Sequence, residues 1–231
     1  SETSRLVGRT LDNPEFQRQL GRVETLQGRA EATFSFSKKG EDVKWGFDLR
    51  ELDLEAEHEA LPFPVSLSRG GLSYRQETLR FSDLRGRIGT SSIGRLEGEI
   101  RFDERPRMQL AGEQAEMILN ELGPALGELP AAPSWSGKIG LDTLRGRMDL
   151  ASFSLKGPLQ HPKKWDFEAQ GSLPELGIAP PMLSEPVQVS AGTLSGTDGN
   201  LSWTGLTLSQ SGSRIQSQGE LAFGRKGVQA I

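Results

Sequence analysis

The sequence has no cysteine, two histidines and a single tyrosine. Without cysteine there is no disulfide scaffold, no thiolate metal centre and no thiol nucleophile. The two histidines, His58 and His161, are too few for a multi-histidine metal site. No apolar run approaches the ~18 residues that a membrane-spanning helix requires. Charge of one sign is missing as well: 27 Lys and Arg stand against 31 Asp and Glu, a net −4 with the signs interspersed. That balance argues against nucleic acid as a partner. The opening Ser1-Glu2-Thr3-Ser4-Arg5 has no basic-then-apolar leader, and it reads as the start of a piece cut from a longer chain.

Glycine, by contrast, is abundant, with 28 in 231 residues against a usual ~7%. Leu61–Leu84 aligns without a gap over Leu183–Leu206. Leu61, Pro64, Val65, Gly70, Leu72, Leu79 and Leu84 recur as Leu183, Pro186, Val187, Gly192, Leu194, Leu201 and Leu206, and Phe81 becomes Trp203. Upstream, Thr25–Arg29 lies over Thr143–Arg147. Downstream, Gly98–Phe102 meets Gly219–Phe223. The offset drifts only from 118 to 122, so the chain reads as two tandem copies of one unit.

Within each copy the dominant period is two. Ala30, Ala32, Phe34 and Phe36 alternate with polar residues, as do Val43, Trp45, Phe47 and Leu49. In the second copy Trp135, Gly137, Ile139 and Leu141 do the same. Alternation places one row on an apolar face and the other in solvent. A parallel sheet buried on both faces would show continuous apolar runs instead. The expected fold is therefore mostly β: an elongated, curved, largely antiparallel sheet.

Turn signals at Lys39-Gly40, Arg69-Gly70-Gly71, Gly157-Pro158 and Asp198-Gly199 divide the strands. Two short helices are expected. One follows Asn13-Pro14-Glu15, which has the form of a cap and first turn. The other covers 113–123, where Ala115, Ile118, Leu119 and Leu122 fall at helical spacing before Gly123-Pro124. The predicted organisation is a helical segment over 1–22, a first β-repeat over 23–133 and a second over 134–231. The second copy ends sooner than the first, as a truncated repeat would.

No residue set points to catalysis, a metal or a cofactor, and none is expected. On a strand, Glu57 and Glu59 point away from His58. His161, in His161-Pro162-Lys163-Lys164, has no acid beside it. The Gly- and Ser-rich run Gly89–Gly94 matches neither a nucleophile elbow nor a phosphate loop. Arg80, Arg85, Arg87, Arg95 and Arg101 cluster in the first copy only, and alternation assigns Arg85 and Arg87 to a solvated outer face.

The aromatic rows say more. Phe34, Phe36, Trp45 and Phe47, then Leu79, Phe81, Ile100 and Phe102, lie on apolar strand phases of the first copy. Phe153, Trp165 and Phe167, then Leu201, Trp203, Leu221 and Phe223, lie on those of the second. Two short helices cannot cover so many strands. Either the sheet curls on itself, or it leaves an apolar trough that another molecule fills, with these residues as its lining.

The succession of a Leu-x-Gly strand, W-x-F, a Pro-Val strand with Gly-x-Leu, the run Gly86–Ser91 and Gly-Glu-Ile-Arg-Phe (Gly98–Phe102) resembles the AsmA-like family of Gram-negative bacteria. The resemblance covers most of the chain from Val23 onward. It implies a long sheet folded like a taco around an apolar groove, in the periplasmic part of a parent protein anchored in the inner membrane. It also implies a function, passing phospholipids between membranes, with acyl chains, neighbouring repeats of the same parent chain and outer-membrane proteins as partners. The second copy departs from the pattern by its loss of Gly86-Arg87-Ile88-Gly89, in a stretch where it has Leu206-Thr207-Leu208. Two readings compete with the conduit: a structural or assembly scaffold of the cell envelope that engages an outer-membrane protein, and a carbohydrate-binding β-solenoid.

Overall fold

The computed structural model describes residues 14–39, 42–59, 61, 63–121, 143–161, 164–179, 181, 183–224 and 227–230. Of these, 76% lie in strands of one large antiparallel sheet. Helix α1 (Pro14–Gly21) leads into β1 (Val23–Lys39) and β2 (Asp42–His58), the two longest strands. Then come β3 (Val65–Arg75), β4 (Thr78–Ile88), β5 (Ser91–Arg101) and β6 (Arg107–Ile118). The second half holds β7 (Arg145–Pro158), β8 (Asp166–Ile178), β9 (Val187–Val189) and β10 (Thr193–Thr197). It closes with β11 (Asn200–Gln210), β12 (Ser213–Gly224) and β13 (Gly227–Ala230).

The topology is a meander, in which successive strands are neighbours in the sheet. The β6–β7 ladder runs from Arg107↔Pro158 to Ile118↔Arg147, so the sheet continues unbroken across the connection between the two halves. β9 and β10 share one position: both pair with β8 on one side and β11 on the other.

A line of irregularity crosses the sheet at mid-strand. On either side of it the inward residues are spaced by two; across it they are spaced by three. Leu49 is followed by Leu52 in β2, Phe81 by Leu84 in β4, Ile93 by Leu96 in β5, Leu150 by Phe153 in β7 and Trp203 by Leu206 in β11. The ladders slip along a slanted line that shifts by an inward row from strand to strand: between Arg29 and Glu31, between Leu67 and Gly71, between Phe81 and Leu84, between Leu150 and Ser152, and between Trp203 and Leu206. Positive φ marks it at Glu51, Gly70, Asp83, Gln114 and Gly205. These are β-bulges, which add a residue, keep the apolar row on its face and bend the strand. We call this line the crease. At Gly70 the approach is so close that a Cβ would lie 2.5 Å from the Asp83 carbonyl oxygen, so only glycine fits.

Two sequence expectations are corrected. The helix expected over 113–123 is strand β6 as far as Ile118, followed by one helical turn over 119–121. The bulge at Gln114 (φ 55) moves the inward row from Met108, Leu110 and Gly112 to Ala115, Met117 and Leu119, and a three-residue step inside a strand imitates helical spacing. The helical turn serves its neighbours: the Asn120 side-chain oxygen accepts from Gly146 N–H at 2.7 Å, and the Glu121 carboxylate from Thr90 N–H at 2.9 Å. Arg69-Gly70-Gly71, expected as a turn, is the crease within β3. The alternation at Trp135–Leu141 and the interval 122–142 lie outside the described residues, as does Asn13.

Burial is sparse. Among the described residues, the buried hydrophobic side chains are Leu52, Tyr74, Leu84, Phe102, Met108, Ala115, Leu119, Leu173 and Val189. Tyr74 and Phe102 form a cluster against which Trp45, Phe47, Leu79, Ile100 and Leu159 pack, together with Leu20 of α1.

Candidate functional site

The crease divides the apolar face into two arms. On the arm that carries the β3–β4 and β5–β6 turns lie Phe34, Phe36, Trp45, Phe47, Tyr74, Phe81, Phe102, Phe153, Trp165, Phe167 and Trp203. The inward strand positions of the other arm are aliphatic: Leu52, Leu54, Leu67, Leu84, Ile88, Ile93, Met117, Met148, Leu150, Val189, Leu206 and Leu208. All the sequence-predicted groove residues thus fall on the aromatic arm. The Phe223 backbone pairs there with Val228; its side chain lies outside the described set.

Exposure differs along that arm. Phe34 and Phe36 are each 68% exposed and Phe167 is 45% exposed. Trp45, Phe47, Leu79, Phe81, Ile100, Phe153, Trp165, Leu201, Trp203 and Leu221 are half-buried. Phe102, at 5%, is a core side chain, closed to any ligand. Tyr74 stacks on Trp45 at 4.8 Å and on Phe47 at 5.9 Å between ring centroids. Burial, with the Glu77 charge adding to it, pushes the Tyr74 hydroxyl up to about 12.

A second regularity was not read from the sequence: the large rings stand across from glycines. Phe81 is opposite Gly98 and Trp203 is opposite Gly219. Phe153 is opposite Gly112. A Cβ on Gly112 would meet the Phe153 ring at 2.3 Å, and one on Gly219 the Trp203 ring at 2.7 Å. The Phe153 and Trp203 rings therefore lie down over the backbone of the neighbouring strand. The signal was present in Gly98, Gly112 and Gly219, but reading it requires the cross-strand register. Indole N–H groups are satisfied at the margins: Trp165 donates to the Pro158 carbonyl at 2.8 Å and Trp203 to the Ser217 hydroxyl at 3.0 Å.

The outer face is polar and laced with ion pairs. Arg95 contacts Glu97 at 2.6 Å and Asp83 at 3.7 Å, while Arg80 and Arg101 share Glu99 at 3.4 and 2.5 Å. The two arginines hold the Glu99 carboxyl below its usual range, the Arg101 hydrogen bond contributing most. The Glu97 carboxylate raises the Arg95 guanidinium. A depression of about 800 Å³ on this face, at the crease, is lined by Gln114, Ala151, Gln170, Ser195, Ser202 and Thr204 among others. Its two carboxylates, Glu116 and Asp149, stand directly opposite each other and are both bridged by Arg147, at 3.5 and 3.1 Å. No aromatic side chain lines it, so the rings and the paired carboxylates that a glycan site would combine are separated by the sheet.

Among the described residues, no group of His, Asp and Glu is arranged to hold a metal ion, and no helix is long and apolar enough to cross a membrane. No protein-family model, no curated protein and no solved structure matches the chain.

Proposed function

We propose that the apolar face is an open track for acyl chains, and that the chain is a periplasmic segment of an AsmA-like bridge carrying phospholipid between the two membranes of a Gram-negative cell. The observation that carries this reading is the row of rings left uncovered on the apolar face, with Phe34, Phe36 and Phe167 the most exposed. A surface that must hold methylene chains and let them slide needs broad apolar contact without polar readout. Each buried CH₂ contributes ~0.8 kcal/mol, distributed evenly along the chain. At ~4.8 Å per strand, the dozen strand positions give a track of about 55 Å.

The crease supports a taco-shaped groove, because bulges recur along it in β2, β4, β5, β6, β7 and β11 and a bulge bends the strand that carries it. The contact between α1 and the Tyr74 cluster supports it too. Tyr74 lies opposite Phe47, and Phe47 opposite Phe34, so the cluster is level with Phe34, eleven residues along β1 from Val23. On a flat sheet that is ~36 Å, and the three-residue step from Leu20 to Val23 bridges at most ~11 Å. That Leu20 nevertheless packs against the cluster favours arms that turn toward each other at this end.

The tandem-repeat reading gains support from register. Leu79↔Ile100, Phe81↔Gly98 and a slip before Leu84 in the first copy correspond to Leu201↔Leu221, Trp203↔Gly219 and a slip before Leu206 in the second. The β9–β10 break at Ser190–Gly192 corresponds to the crease at Arg69-Gly70-Gly71 in β3.

Native mass spectrometry of the purified chain tests the proposal. Bound phospholipid on the wild type is expected, along with its loss in Phe36→Asp and Phe167→Asp at unchanged melting temperature, since a carboxylate at an exposed position costs the fold little but blocks apolar contact. A lipid-free wild type whose Phe36→Asp variant unfolds would sink the conduit and favour the scaffold.

A further inference from the structure

A pocket of about 500 Å³ lies on the polar face at the rim of the aromatic arm, where the β5–β6 turn meets the end of β7. Its wall carries four cations, Arg101, Arg105, Arg107 and Lys156, and one carboxylate, Glu99. That carboxylate is already shared by Arg80 and Arg101, and Lys156 pairs with Asp166 at 3.7 Å. Arg105 and Arg107 have no ion-pair partner among the described residues. Asp103, in the same turn, is turned to the backbone: its carboxylate accepts from the Arg105 N–H at 3.0 Å. Arg101 and Arg107 stand directly opposite each other in the β5–β6 ladder. Opposed residues of an antiparallel pair are about 4.5–5.5 Å apart at Cβ, and like charges there repel. An anion lying between the two guanidinium groups relieves that repulsion.

We propose that this pocket binds a phosphate group, carried by a lipid headgroup or free in solution. Planar guanidinium forks take phosphate oxygens in pairs. Three of them, drawn from two strands and a turn, match a tetrahedral oxyanion; a planar carboxylate is satisfied by one. The site is held in place by its backbone. Leu159 N–H donates to the Pro106 carbonyl at 2.9 Å, tying the β5–β6 turn to the β7–β8 turn, and His161 N–H donates to the Pro158 carbonyl at 3.1 Å. Gly157 is part of the wall, and on its apolar side a Cβ would lie 2.5 Å from the Trp165 ring. The pocket is therefore one backbone thickness from the aromatic arm. The lipid source rests on the reading of the apolar face as an acyl track: chains lying on the aromatic arm end at this rim, which brings their headgroup level with Arg101 and Arg107. Four cations against one carboxylate favour an anionic headgroup over a zwitterionic one. Free phosphate needs only the pocket.

Calorimetric titration of the chain with inorganic phosphate, at low salt to limit screening, should show one saturable site. Arg105→Gln combined with Arg107→Gln should weaken it at least about tenfold. Arg107→Lys, which keeps the charge and loses the fork, should weaken it about threefold. Arg214→Gln, at an exposed cation of the opposite rim, should change it less than about twofold. Without phosphate the paired variant should melt no lower than the wild type, because it removes opposed like charges; phosphate should raise the melting temperature of the wild type alone. Absence of saturable binding overturns the proposal. So does an equal loss in Arg214→Gln, which would make overall charge the binder, and so does a paired variant that melts lower in phosphate-free buffer, which would make these arginines structural. Competition reads the source. Dihexanoyl phosphatidylglycerol and its chain-free headgroup, glycerophosphoglycerol, should both displace phosphate. Displacement at least about tenfold tighter with the chains assigns the pocket to a lipid headgroup, and equal displacement assigns it to free phosphate. If the acyl track fails, the phosphate isotherm stays and only the difference between the two competitors vanishes.

Discussion

The two arms of the apolar face are built from the same strands and differ in chemistry. Between the crease and the aliphatic rim, Leu52 and Leu84 are 1% and 2% exposed, and Ala115, Leu119 and Val189 are buried with them. Between the crease and the aromatic rim, Phe34, Phe36 and Phe167 are open. Branched aliphatics interlock and exclude water, whereas rings laid over glycine cover backbone and leave their upper faces free. The most exposed rings thus lie on the aromatic arm, beside the buried Tyr74–Phe102 cluster that the same arm holds. The aromatic arm also differs along its length. Tyr74 stacks beneath Trp45 near the β3–β4 turn, whereas Gly196 stands near the β10–β11 turn, where an added Cβ would lie 3.6 Å from the Phe167 ring.

The contrast can be broken where it is sharpest. Leu52→Ala or Leu84→Ala should cost about 2–5 kcal/mol, read as a fall in the urea midpoint. A loss under 1 kcal/mol would show that the aliphatic arm is not the core. Gly70→Ala should cost about 2 kcal/mol, since it forces a left-handed residue against the Asp83 carbonyl. Gly205→Ala, with positive φ and nothing within 4 Å of the new Cβ, should cost only about 1 kcal/mol. Equal losses at the two would mean that close approach adds nothing at the crease.

The remaining effects are smaller. The folded state raises the Tyr74 hydroxyl to about 12 from an ordinary 10. The stability this represents is complete below pH 10 and lost as pH rises toward 12. Because the chain has one tyrosine, tyrosinate absorbance follows this group alone, and Tyr74→Phe should flatten the alkaline fall in melting temperature. Gln114→Gly should stabilise by up to about 1 kcal/mol by relieving its positive φ. Phe34→Ser should change stability least, by under about 0.5 kcal/mol, while lowering lipid occupancy. A large stability loss there would erase the difference between the arms.

Much of the sheet was legible in alternation. Ala30 to Phe36 and Trp45 to Leu49 read as strands because period two is a local property of the chain. The Asp198-Gly199 bend between β10 and β11 was legible because two flexible residues separate two apolar rows. The crease was not, because a bulge replaces one two-residue step with three, and a single irregular step looks like a turn at Arg69-Gly70-Gly71 and a helix at Ala115–Leu119. The aromatic rows were visible as candidates, but their confinement to one arm was not. Which side of a bend a residue occupies depends on its partner in the next strand. Phe102 shows the same limit: its phase matches Phe34, yet it is sealed because Tyr74 and Leu159 happen to meet it.

The meander has a consequence for how the molecule comes into being. Each strand bonds to its neighbours in the chain, so nearly every pairing closes a loop the size of a hairpin, and contact order is low for a β-protein. Formation can then proceed as a zipper in either direction from any hairpin. The long closure is the β6–β7 connection, from Leu119 to Leu144. Two growing sheets, one on each side of that connection, should therefore acquire amide protection independently before the β6–β7 ladder joins them, an order that pulse-labelled hydrogen exchange would reveal or contradict.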